Sequence, residues 1–183
     1  MRPRIARSAI VPRNNPIPTT TLRDRRPIGI SAASIMARPM SVYESAAGGP
    51  MRPGDVVLMS QPLYGGTETL IEKTLPLYGV GRVSVSEACD RQAVMAAAER
   101  ALAQARATKG AVSLLMTETP ANPTNGLVDL KLWQEAAEWL ASKQDGKRPP
   151  LAVDNTFLGP VFQRPLEHGA DLVIYSLTKY VEI

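Results

Sequence analysis

The 183-residue sequence predicts an α/β domain on a mostly parallel, doubly wound sheet. Three observations carry that prediction. From residue 52 onward, short apolar runs alternate with helical patterns. Some of those runs are apolar throughout, as strands covered on both faces are. The composition, 44% hydrophobic and 21% charged, is ordinary for a globular chain, and no apolar run reaches membrane-spanning length.

The elements follow in order. Asp55-Val-Val-Leu-Met-Ser60 reads as a buried strand. A helix follows Tyr64-Gly-Gly, with Leu70, Ile71 and Leu75 on its apolar side and Pro76 closing it. Gly81 to Val85 alternates as a strand does. Asp90 caps a long helix from Arg91 to Ala107, with Val94, Ala98, Ala101 and Leu102 at helical spacing. Ala111 to Met116 is a continuous apolar strand, and the turn-rich loop Thr119 to Gly126 follows it. Asp129 opens a helix that turns Leu132, Trp133, Ala136 and Leu140 inward. Strands at 151–153 and 172–175 complete the pattern, with a short helical turn near Leu166 between them.

The first fifty residues are different. They hold seven of the sixteen prolines, at a density that breaks helices and interior strands, so residues 1–51 read as an irregular Arg/Pro-rich segment. Residues 52–183 form the α/β domain. Charge divides the same way. Residues 1–50 carry +6 and residues 51–183 carry −2, so the globular part offers no basic face to a nucleic acid. A transit peptide would share the arginines, but the prolines oppose an amphipathic helix. Disruption of the reading frame upstream of about Arg52 accounts for the segment better.

Cys89 is the one cysteine and His168 the one histidine. No intrachain disulfide can form, which points to a reducing, cytoplasmic setting, and a zinc site or a Ser-His-Asp hydrolase would rest on a single histidine. No membrane or nucleic-acid partner is expected.

Ligands of open α/β sheets bind beyond the carboxyl ends of the strands. Those ends lead here to Tyr64-Gly-Gly, to Glu118 and Asn122, to Asp154-Asn-Thr, and to Ser176, Thr178 and Lys179. Each has a plainer role if taken singly: turn chemistry for Asp154, a packing ring for Tyr64, a solvated surface amine for Lys179. Together they place an acid and a lysine, 25 positions apart, on neighbouring strand ends. That pair suits a lysine-linked pyridoxal 5'-phosphate (PLP), with the acid on the pyridine nitrogen and hydroxyls on the phosphate.

The runs Tyr64-Gly-Gly-Thr, Glu118-Thr-Pro-Ala-Asn-Pro-Thr124, Val153-Asp-Asn-Thr-Phe157, Pro165 to Leu172 and Ser176-Leu-Thr-Lys-Tyr180 resemble the Cys/Met-metabolism family of PLP enzymes. Cystathionine γ-synthase, cystathionine γ-lyase, methionine γ-lyase and O-acetylhomoserine sulfhydrylase belong to that family. The resemblance implies part of the large domain of an aspartate-aminotransferase-like, fold type I enzyme. It implies a Schiff base at Lys179, which also moves protons, and Asp154 on the pyridinium. Tyr64 would stack on the ring and act as acid or base, Ser176 and Thr178 would hold the phosphate, and Asn122 would stand near the phenolic oxygen. The substrate would be a sulfur amino acid or an activated homoserine, the reaction β/γ-elimination or γ-replacement.

Three departures qualify the resemblance. Pro39-Met40 stands where the family places a Gly-Met pair, and proline has no N–H for a phosphate. The family's Tyr-x-Arg segment, which reaches a neighbouring subunit's phosphate, has no convincing match, so a family-type homo-oligomer is doubtful. The sequence ends at Ile183, where the family continues into a C-terminal domain with the arginine that clamps the substrate carboxylate. The alternative expectation is therefore a truncated, inactive family member that keeps at most partial PLP binding.

Overall fold

The computed structural model describes residues 51–176 and residue 179. The irregular segment expected over residues 1–51 lies outside the described residues except for Met51, and so does Thr178.

The strands are β1 (Val56–Ser60), β2 (Gly81–Val85), β3 (Val112–Glu118), β4 (Leu151–Asp154) and β5 (Leu172–Ile174). Among the described residues they form one sheet in the order β2-β1-β3-β4-β5, with every pair parallel. All carboxyl ends therefore lie on one edge. The chain leaves β1 toward β2 on one side and returns to β3 on the other, so the order reverses between β1 and β3. A crevice at such a reversal is where open α/β sheets hold ligands.

Both faces of the sheet are covered, which explains strands that are apolar at every position. On one face Val56, Leu58, Leu115, Leu151 and Val153 pack against α2 (Arg91–Ala107) and α3 (Leu130–Lys143). Trp133 is fully buried there and its Nε1 donates to the Ala88 carbonyl at 3.0 Å. On the other face Val57, Met59, Leu114 and Met116 meet Leu70, Ile71 and Leu75. The long helices start as the sequence predicts. Asp90 accepts the Ala93 N–H at 2.7 Å, and Asp129 accepts those of Lys131 and Leu132.

Several boundaries differ from those expected, four of them by more than the first residue of a strand or the end of β4. The helix after Tyr64 starts as α1 (Gly65–Thr69), widens into a π turn (Leu70–Thr74) and tightens into a 3-10 turn (Leu75–Tyr78). Pro76 does not close it: Gly79 does, at φ 76°, a backbone that favours glycine. β3 runs on to Glu118, because Thr117 and Glu118 keep pairing with β4. β5 stops at Ile174, one residue early. A short helix α4 (Gly159–Phe162) forms where no element was expected.

At the opposite edge Asp55 accepts the N–H of Arg52 at 2.9 Å and of Ala111 at 3.0 Å, tying β1 to β3 before either begins.

Candidate functional site

The register aligns the strand ends that matter. Glu118 pairs with Asp154, and Asp154 with Ile174, so the ends of β3, β4 and β5 stand side by side. The residues beyond them form two bonded groups.

The first group joins β4 to β5. Asp154 Oδ1 accepts from the Thr156 N–H at 3.0 Å and from the Thr156 hydroxyl at 2.6 Å. Thr156 Oγ1 in turn accepts the Ser176 N–H at 2.9 Å. One hydroxyl thus links the expected ring acid to the residue that opens the lysine turn. Lys179 follows on that turn, its N–H donating to the Ser176 carbonyl at 3.1 Å. The loop beneath is held by Asn155, fully buried, whose Nδ2 donates to the carbonyls of Gly159 and Gln163 and to the Tyr175 hydroxyl.

The second group spans the reversal between β1 and β3. The Glu118 carboxylate accepts the Tyr64 N–H on one oxygen and the Asn122 N–H, at 3.0 Å, on the other. Tyr64 is 42% exposed, so its ring has a face open to a ligand.

Electrostatics separates the two acids from ordinary surface carboxylates. Burial pushes the Glu118 carboxyl up to about 7; the Asn122 and Tyr64 N–H groups resist, while Asp154 and Glu68 add to the rise. Burial also raises Asp154, against the two bonds from Thr156. Among the described residues neither acid has an ion-pair partner. A protonated pyridine nitrogen is the kind of cation that a half-buried Asp154 without an ion-pair partner lacks, so the donor set fits PLP on that count.

Of the six residues singled out from the sequence, Asp154 ends β4, Tyr64, Asn122, Ser176 and Lys179 lie beyond strand ends on the same edge, and Thr178 lies outside the described residues. Among the described residues Lys179 is exposed. Two residues with no sequence-derived role emerge: Glu118 and Thr156. A glutamate closing the apolar run Val112–Met116 was the available signal for the first. The second carried none beyond its place after Asp154.

Comparison with known proteins agrees with the fold. Residues 29–182 match the family described as Cys/Met metabolism PLP-dependent enzyme. The chain is 35% identical over 128 residues to the cystathionine beta-lyase MetC of Bacillus subtilis, covering 70% of this chain and 28% of that protein. It is 35% identical over 154 residues to the O-succinylhomoserine sulfhydrylase of Pseudomonas aeruginosa, covering 84% of this chain and 31% of that one. The crystal structure of metB from Corynebacterium glutamicum superposes with a TM-score of 0.61 at 30% identity, over 79% of this chain and 32% of that one. The chain thus spans about a third of the length of the relatives it matches. Among the described residues no helix is long and apolar enough to cross a membrane.

Proposed function

The chain belongs to the Cys/Met metabolism family of PLP-dependent enzymes, and from that premise we propose that its sheet edge holds PLP for chemistry at the carbon–sulfur bonds of amino acids. PLP is the family's cofactor. When bound it supplies an electron sink for negative charge developing on a substrate carbon.

The residues divide the work. Lys179 would hold the cofactor through Nζ and would carry protons between substrate carbons. Asp154 would accept from the ring nitrogen, its carboxylate held in place by Thr156 through Oδ1. Tyr64, its ring half-exposed, would lie against the cofactor and serve as acid or base toward substrate. Ser176 and Thr178 would hold the phosphate, and Asn122 would stand near the phenolic oxygen. The substrate class is a sulfur amino acid or an activated homoserine, and the reaction β/γ-elimination or γ-replacement.

The observation that carries this reading is the run of aligned strand ends, Glu118 beside Asp154 beside Ile174, with Asp154 bonded through Thr156 to the Ser176 that opens the lysine turn. The test is an absorption spectrum of the full chain with added PLP, with Lys179→Ala beside it. The expected result is a visible band that needs Lys179. A band that survives the substitution sinks the lysine assignment. Elimination assays on sulfur amino acids then separate cofactor binding from turnover.

A further inference from the structure

Glu118 ends β3 where the strand order reverses, and no role assigned above uses it. Its side chain is buried, 6% exposed, and no cationic side chain among the described residues pairs with it. Instead each oxygen takes a backbone donor from a different segment: Oε2 the Tyr64 N–H beyond β1, Oε1 the Asn122 N–H in the loop beyond β3. Its own N–H is donated to Ser60 Oγ at 3.3 Å, which fixes the strand end against β1. A buried carboxylate without a cation is unfavourable, and an apolar residue would serve better there if filling space were the only need. Two otherwise orphaned amide donors are a reason to keep the acid.

The two segments held this way carry the aromatic ring and the amide of the cofactor reading. Resting on that reading, we propose that Glu118 is a positioning residue, whose two carboxylate oxygens hold the Tyr64 and Asn122 backbones in one arrangement and so set where the phenol ring and the amide stand against PLP. Tyr64 and Asn122 lie 58 residues apart in sequence, and one side chain joins them.

The clamp depends on charge. The ionised carboxylate accepts on both oxygens, whereas the neutral acid turns an O–H toward one of the donors. The charged groups that face Glu118 are Asp154 at the end of β4 and Glu68 in α1, both acidic; with burial they bring its carboxyl to about 7. The clamp is therefore whole above neutrality and loosens as the pH falls through that value.

The experiment is a pH titration of the 15N-labelled full chain by NMR, without cofactor. The Tyr64 and Asn122 amide protons are expected to move together, with one midpoint near pH 7. Glu118→Gln is expected to abolish both movements, and Glu118→Asp, which keeps the charge, to retain a shared midpoint. Amides that titrate separately or not at all in the wild-type chain overturn the clamp, whether or not the glutamine variant folds. With PLP added, the pH profile of the visible band is expected to carry the same midpoint and to lose it in Glu118→Gln. A profile indifferent to the substitution overturns the positioning role, because a purely structural glutamate would leave the band alone. A chain that takes up no PLP defeats the cofactor reading and the positioning role with it, while the amide titration still decides the clamp.

Discussion

Replacing Thr156 by valine, which keeps the shape and removes the hydroxyl, tests how far stability and site depend on the same bonds. Thr156 Oγ1 donates to Asp154 Oδ1 at 2.6 Å and accepts the Ser176 N–H at 2.9 Å. A hydrogen bond to a charged group contributes about 1.5–3 kcal/mol and a neutral one about 1 kcal/mol. Both Thr156 and Asp154 are partly open to solvent, so water replaces some of what is lost. The expected loss is about 2 kcal/mol at neutral pH. With a urea slope of about 2 kcal/mol per molar, the unfolding midpoint drops by about 1 M.

The pH dependence has a definite sign. The hydroxyl holds the Asp154 carboxyl down against burial, so the valine variant raises that folded-state pKa further above the ordinary 3.8. A raised folded-state value favours the fold at low pH and loses that advantage as the pH rises. The gap between variant and wild type is therefore full near neutrality and narrows as the pH falls toward 3.8. Thr156→Ser, which restores the hydroxyl, recovers most of the loss. Urea curves that superimpose at pH 7 for the valine variant and wild type would refute the reasoning.

Three further substitutions test the packing of the domain. A Cβ at Gly110 would stand 2.1 Å from the Gly54 carbonyl oxygen and 2.6 Å from the Asp55 nitrogen, both backbone, so Gly110→Ala costs about 2–3 kcal/mol, whereas Gly65→Ala, with nothing within 4 Å, leaves the thermal midpoint unchanged or slightly higher. Trp133→Phe leaves the Ala88 carbonyl without its indole donor and opens a small cavity between α3 and the sheet. Its expected cost is about 2–4 kcal/mol by urea denaturation, and a loss below about 1 kcal/mol contradicts the assigned packing.

Much of the fold was legible because its determinants are local. β2 and α2 lie where alternation and an aspartate cap put them, since those signals act within a few residues. Boundaries set by non-local partners were not legible. β3 continues to Glu118 because β4 pairs with it, and nothing in Thr117-Glu118 announces that partner. Pro76 reads as a helix stop, but the chain narrows into a 3-10 turn that takes proline near its start, and Gly79 ends it instead.

Sequence alone determined most of the element types, the shared edge on which the polar residues gather, and the family, because apolar periodicity, turn chemistry and motif spacing are properties of the chain taken in order. Tertiary structure alone decided what those residues are to one another. Strand order places Glu118 beside Asp154, and long-range bonds join Glu118 to Tyr64 across 54 residues and Thr156 to Ser176 across 20. The character of the two acids follows from the same cause. A carboxylate's affinity for its proton depends on the water removed from it and the donors brought to it, and neither exists until the sheet has formed.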